Sequence, residues 1–332
     1  MASKLLNLFG KEVNQIVVDL FKLHKNITLS GTSNISAKAF IASDLLKREN
    51  IGTVLWVVND EQEKLLVQKN LKLWTSRPVL NFTIKQNMGN DRHITRQNNL
   101  ALTHVTSQIL EQEKQIILMT YPEFLIATPS PQELIAEKTT LTLKEDKSLV
   151  KLFEQLITIG YQTSPDAHIN PGQYFCQGNL VKIFPVNQNI VYRIEIDFDQ
   201  IVAIQQLTPD QKSVDKQNIE TVTIYPVAEP KANYHFYDIL EGNQLLIEDE
   251  LGIIDDFFDE WEAVVNRINS PHLEFKTFAE DTENHKHLHY TSVVRYNSPI
   301  DFINDIKIKK DQNWRFIVAT KHSDELIPLF NE

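Results

Sequence analysis

Residues 30–38, SGTSNISAK, place a glycine, hydroxyls and a lysine between a short apolar strand and a helix, which is the setting of a phosphate-binding loop. That chemistry needs a second glycine after four intervening residues, then lysine, then serine or threonine. Counted from Gly31, those places hold Ser36, Ala37 and Lys38. The lysine arrives one residue late, and one helical residue turns a side chain by about 100°. The spacing reads as a vestige of a nucleotide-binding fold. Leu245-Leu246-Ile247-Glu248-Asp249-Glu250 has the outline of an apolar strand ending in acids, where a Mg²⁺-holding carboxylate and a catalytic glutamate would sit. Acids also end strands for solvation alone, and without a working phosphate loop they have nothing to act on. His285, His287 and His289 alternate and share one strand face, a spacing compatible with a metal or with an ordinary solvated edge. Cys176 has no recognisable partner and reads as a packed strand cysteine. No catalytic residue, metal ligand or cofactor site is assigned on these patterns.

The remaining polar candidates lie on a β-ribbon, Gly172 to Asp197. Leu180 to Pro185 reads as one strand, Asn187-Gln188-Asn189 as a turn, and Ile190 to Ile196 as a second strand. A period of two sets Ile190, Tyr192, Ile194 and Ile196 on a core face. Val191, Arg193, Glu195 and Asp197 then fall on the other face, where Arg193 and Glu195 stand in solvent. Gln200 to Gln206 completes a meander.

The elements around this ribbon alternate in type. Leu5 to His24 has helical spacing, Ile27 to Leu29 is a short strand, and Ala37 to Glu49 is a helix. Gly52 to Val58 and Ile116 to Thr120 are near-continuous apolar runs, as strands buried on both faces are. Asp60 opens a helix through Trp74, Leu80 to Ile84 is a weaker strand, and Leu100 to Glu113 is helical. Strands alternating with helices indicate a parallel α/β sheet. At Pro129-Ser130-Pro131 the texture changes, as at a crossing between domains. Thr140 to Leu143, a helix from Lys147 to Ile159 and the ribbon follow, and Thr221 to Tyr225 leaves that unit. Helices at Tyr234 to Glu241 and Ile254 to Ile268 then flank a strand at Gln244 to Ile247. Strands at Leu273 to Thr277, His289 to Val294 and Trp314 to Ala319 follow, with a helix at Ile300 to Ile306 and a short one after Ser323. The expected division is a discontinuous domain of residues 1–128 and 221–332 around an insertion of residues 129–220.

With 42% hydrophobic and 23% charged residues, the 332-residue chain has the composition of a globular protein. A formal net charge of -11 argues against a surface built to neutralise DNA phosphates. One cysteine excludes an internal disulfide and fits a reducing cytosol. The N-terminal stretch is broken by Lys11, Glu12 and Asp19 and lacks a signal-peptide pattern, and no run approaches a membrane-spanning length. The expectation is a cytoplasmic protein with no membrane contact.

The ribbon resembles the N-terminal part of bacterial transcription-repair coupling factors, itself similar to the damage-recognition protein UvrB. Gly172-Gln173-Tyr174-Phe175-Cys176-Gln177-Gly178-Asn179-Leu180-Val181-Lys182-Ile183-Phe184-Pro185 follows the family's glycine–aromatic–Arg-Gly–hydrophobic–Pro pattern. Tyr192-Arg193-Ile194-Glu195 follows its Tyr-Arg-hydrophobic-acid pattern, Ile159-Gly160-Tyr161 its Gly-Tyr, and Ile224-Tyr225-Pro226-Val227-Ala228-Glu229 its departing segment. The resemblance implies a RecA-like, helicase-type parallel-sheet domain with degenerate nucleotide motifs, interrupted by a smaller α/β domain that binds UvrA. It implies further that Arg193 and Glu195 stand where the family's interacting arginine and acid stand, with Phe184 on the same ribbon. Two positions depart: family arginines are replaced by Gln177 and Gln162, which removes two bidentate donors. The family's RNA polymerase and duplex DNA contacts, and its ATP-driven motor, would lie beyond Glu332. The expected role is thus a non-catalytic module recruiting UvrA. An active nucleotide-binding ATPase fragment and an autoinhibitory module of a translocase are the alternatives.

Overall fold

The computed structural model describes residues 11–24, 26–32, 34–85, 91–111, 113–208, 210–211, 214–240, 242–250, 258–290 and 298–312. In chain order the elements begin α1 (Lys11–Leu23), β1 (Asn26–Thr32), α2 (Ile35–Arg48), β2 (Val54–Val58), α3 (Glu61–Trp74), β3 (Val79–Asn81), α4 (Arg92–Leu110), β4 (Ile116–Thr120) and α5 (Tyr121–Phe124). Next come α6 (Pro131–Glu137), β5 (Thr139–Thr142), α7 (Leu149–Thr158), β6 (Gln162–Thr163), β7 (Gln173–Gln177), β8 (Leu180–Phe184), β9 (Tyr192–Asp197), β10 (Gln200–Leu207), β11 (Val214–Asn218) and β12 (Thr221–Ile224). The chain continues through α8 (Phe236–Ile239), β13 (Leu245–Asp249), α9 (Phe258–Arg267), β14 (His272–Lys276), β15 (His285–Tyr290) and α10 (Pro299–Asp311). Two compact units result, residues 1–290 and 291–332. In the second, Ser298 caps α10 by accepting from the Asp301 amide, and Pro299 takes the first turn, where no amide is needed.

Seven strands form a parallel sheet in the order β15-β1-β14-β13-β2-β4-β3. It draws strands from both sides of a second sheet of six, ordered β11-β10-β9-β8-β7-β6, whose β7 to β11 form an antiparallel meander. The fold is α/β, a RecA-like parallel-sheet architecture with a smaller sheet inserted.

The apolar runs explain the layering. Every residue of β2, β4 and β13 is buried, and successive side chains go to opposite cores. Val54, Trp56 and Val58 join Ile116, Leu118, Leu245 and Ile247 against α1, α2 and α3. Leu55 and Val57 join Ile117, Met119 and Leu246 against α4, α8 and α9. Each such side chain contributes about 1.5–3 kcal/mol by leaving water, and Trp56 also stacks on Phe275 at 6.0 Å.

Several boundaries differ from the sequence reading, each for a local reason. β1 runs on to Thr32 because β15 pairs alongside it as far as Tyr290. α2 starts at Ile35, with Asn34 as its cap. At Pro129-Ser130-Pro131, where a crossing between domains is expected, a helix also starts: the Ser130 hydroxyl accepts from the Glu133 amide, and Pro131 opens α6. α4 begins at Arg92, eight residues before the expected Leu100, with Asp91 accepting from the His93 amide. The helix expected at Tyr234 to Glu241 is a single turn, and the strand expected near His289 lies at His285–Tyr290. The N-terminal part of the first helix, part of that before Ile268, and everything expected beyond Gln312 fall outside the described residues.

Two chain crossings join the sheets. β5 and β12 pair antiparallel, Leu141 opposite Val222. Ala127 and Thr128 pair with the passage at Lys231–His235. α4 then stitches the smaller sheet to the larger through backbone carbonyls. Arg96 donates to Gly160 O and Gly172 O at 3.1–3.2 Å. His104 Nδ1 meets Val186 O at 2.7 Å, and Gln108 reaches Asn187 O. Burial holds the His104 imidazole below its usual pKa.

Candidate functional site

The smaller sheet has an inner and an outer face. Inside, Tyr174, Val181, Ile183, Tyr192, Ile194, Ile196, Ile201 and Ile204 pack on Leu152 and Leu156 of α7. Cross-strand register fixes what lies outside. Phe184 is opposite Gln173, Lys182 opposite Arg193, Leu180 opposite both Gln177 and Glu195, and Glu195 opposite Ala203. The parallel partner of Gln173 is Gln162 on the edge strand β6. Partners in register share a face, so Arg193, Glu195, Phe184, Gln177 and Gln162 all stand on the outer one.

That face is not uniformly solvated. At one end Phe175 and Phe184 pack with Val191, Ile169 and Leu207 in a small apolar cluster. Gln211 holds the covering loop like a clasp, donating to Ile169 O at 2.8 Å and accepting from Ile169 N at 2.9 Å. Val191, on the same face as Arg193, is buried in this cluster. Arg193 sits at the margin of the covered end, with its side chain 29% exposed, and Glu195 is 37% exposed. Arg193 donates to Gln205 Oε1 at 3.3 Å and approaches Glu195 at 3.8 Å. A pair this open contributes little stability, so the guanidinium is held in place while much of its hydrogen-bonding capacity stays available. Lys182, directly across from Arg193, is drawn away to Ala167 O at 3.0 Å, which relieves repulsion between the two cations. At the other end Gln177 is exposed on β7, while Gln162 is exposed on the edge strand β6 beside Gln173. Cys176 belongs to the inner side, and partial burial raises its thiol pKa.

The residues of the glycine loop have a different setting. Gly31 lies inside β1, at an irregularity in the pairing with β15, with φ +70°. Ser36, Ala37 and Lys38 fall in the first turns of α2, whose opening amide at Ser36 is taken by the Asn34 side chain. The His287 ring covers Gly31 so closely that a Cβ there would come within 2.6 Å of it. His285 and His287 both hydrogen-bond Ser30 Oγ, at 2.8 and 2.9 Å. Among the described residues no group of three His, Cys, Asp or Glu has the geometry to hold a metal.

The acids at the end of β13 have partners of their own. Asp249 takes a short hydrogen bond from Lys38 Nζ, the pair being almost wholly buried. Burial raises the Asp249 pKa, and Lys38 opposes that shift. Glu248 accepts from Trp261 Nε1 at 2.9 Å and meets His272 at 3.1 Å, while Glu250 binds Thr277. Sequence reasoning missed the partner of Lys38, which is 211 residues away. It also missed Lys64, a wholly buried lysine bonded to Glu123, Glu61 and the Phe82 carbonyl. Its spacing from Val67 and Leu71 on the buried face of α3 is the signal that would have found it.

Comparison with known proteins agrees with the geometry of the smaller sheet. The family described as the UvrB interaction domain matches residues 140–229, from β5 through the segment after β12. UvrABC system protein B of Treponema denticola is 27% identical over 117 residues, which is 35% of this chain and 17% of that protein. The counterpart from Methanosphaera stadtmanae is 22% identical over 176 residues, 53% of this chain and 26% of the relative. That from Chloroflexus aggregans is 25% identical over the same length, 53% of this chain and 25% of the relative. The matched stretch thus spans about a quarter of these relatives or less. Among the described residues no helix is long and apolar enough to cross a membrane. In its sequence this chain carries a UvrB-like module, and the matched residues 140–229 take in the whole six-stranded sheet.

Proposed function

We propose that this chain is a DNA-repair recruitment module that binds UvrA through the outer face of the β7–β10 ribbon. The match of residues 140–229 to the UvrB interaction domain carries the reading, and the shared outer face of Arg193, Glu195, Phe184, Gln177 and Gln162 supplies the surface. Arg193 acts as the central donor, Glu195 orients it, and Phe184 forms the apolar floor beside it. Gln162 and Gln177 supply neutral amides where relatives of the coupling-factor family use arginine, so UvrA would meet fewer cations here.

The role proposed is non-catalytic. Lys38 and Asp249, the residues best suited to phosphate and metal, neutralise each other inside the protein, and the first amides of α2 are capped by Asn34. No cofactor is needed for such a role. In this reading the chain is the UvrB-like front of a cytoplasmic transcription-repair coupling factor. RNA polymerase and duplex DNA would be engaged by domains outside it, in transcription-coupled nucleotide excision repair.

The test is retention of purified UvrA on the immobilised chain, wild type against Arg193→Ala/Glu195→Ala. The wild type is expected to retain UvrA and the double variant to lose at least about tenfold in affinity, as for a central interface arginine. Equal retention by both sinks the assignment of this face.

A further inference from the structure

The tip of the β9–β10 hairpin combines backbone strain, exposure and rigidity. Its two turn residues, Phe198 and Asp199, have φ +45° and +58°, between the paired Asp197 and Gln200. Two-residue hairpin loops with both residues in the left-handed region call for Asn, Asp or Gly. Asp199 suits its place, whereas a phenylalanine pays a steric cost there. Burial does not offset that cost, since Phe198 is 98% exposed. The tip is nonetheless held fast. The Asp199 carbonyl accepts from Lys147 N at 2.6 Å, Ile201 N donates to Glu145 O, and Lys144 N donates to Ile201 O. Gln200 also donates to Asp146 at 3.2 Å. A strained residue persists where its surroundings over-determine it, and such residues concentrate at functional surfaces.

We propose that Phe198 is a second anchor for the protein that binds the Arg193 face, entering an apolar pocket of that partner rimmed by basic side chains. The inference rests on the proposed function and adds the chemistry of the partner's surface. Phe198 follows directly on the strand that carries Arg193, Glu195 and Asp197, about 10 Å beyond Glu195 at strand spacing. The surface around it is acidic: Glu195, Asp197, Asp199 and Asp146 outnumber Lys144 and Lys147, and Lys147 is engaged with Glu145. An acid-ringed aromatic is complementary to an apolar pocket within a basic rim. A rigid phenyl ring buries a large area at low cost in conformational freedom. Val202, the extra residue at the bulge in β10, adds exposed apolar surface near the same end.

The experiment compares wild type, Phe198→Gly and Arg193→Ala for UvrA affinity, thermal midpoint and self-association. Glycine suits the turn, so Phe198→Gly is expected to raise the midpoint by a few degrees while lowering UvrA affinity about tenfold or more. A structural role for Phe198 would lower the midpoint instead. Wild-type affinity in Phe198→Gly, with affinity lost in Arg193→Ala, overturns the second anchor and leaves the proposed function standing. Unchanged affinity in both variants overturns the two together. A wild-type dimer that Phe198→Gly converts to monomer without loss of UvrA binding assigns the tip to a second copy of this chain and equally overturns the proposal.

Discussion

Lys64→Ala is expected to destabilise the chain by about 3–5 kcal/mol, the range for removing one partner of a buried ion pair. Lys64 has no exposed surface, and its ammonium satisfies Glu123 at 2.7 Å and the Phe82 carbonyl at 2.6 Å. Glu61 can turn to water when the lysine is gone, being more than half exposed. Glu123 cannot turn away, because it also receives the Thr120 amide and hydroxyl at the start of α5. Truncation therefore leaves a buried carboxylate without its counter-ion, and takes the ammonium donor from the Phe82 carbonyl. Equilibrium urea unfolding should show a lowered midpoint with an unchanged slope. A loss below about 1 kcal/mol, the ordinary value of an exposed pair, would mean that water reaches the site.

Lys38→Ala carries a cost of the same order, about 3–5 kcal/mol by the same argument, and it bears on function. If Lys38 serves to neutralise Asp249, its removal weakens the fold in the absence of any nucleotide. The double variant Lys38→Met/Asp249→Leu should then recover most of the loss, since apolar residues of similar size often replace a buried pair without penalty. If Lys38 instead served ATP, the single variant would keep its stability and lose nucleotide affinity. Unfolding curves and ATP calorimetry on the same two proteins separate the readings.

The parallel sheet was legible because its strands are buried on both faces. GTVLWVV and IILMT admit few alternatives once helices flank them. The acidic strand end was legible in outline, but its use was not: Lys38 and Asp249 meet only through the order β1-β14-β13, a non-local pairing that no spacing records. The extension of β1 through Gly31 has the same cause. Ser30-Gly31-Thr32 is a poor strand by composition, and β15 holds it in place from 255 residues away, through His285 to Ser30. The first turns of α4, RHITRQNN, show no apolar face. They are supported by Arg96 reaching carbonyls of the smaller sheet.

Strict alternation in β9 correctly divided Tyr192, Ile194 and Ile196 from Arg193 and Glu195. It could not reveal that a loop clasped by Gln211 covers one end of the second face, which buries Val191 and leaves Arg193 at the edge of cover. Nor could it single out Phe198, whose significance lies in a positive φ and in an exposure that a hydrophobic residue after a strand does not advertise.

The central claim, that this chain engages UvrA in the manner of UvrB, is tested most directly by competition. Purified UvrA is immobilised, saturated with the whole chain, and challenged with increasing UvrB. If both use equivalent outer faces on one UvrA surface, the chain should be displaced in proportion to the UvrB bound, with nine-tenths released at about tenfold effective excess. Undiminished retention of the chain while UvrB also binds would contradict the account.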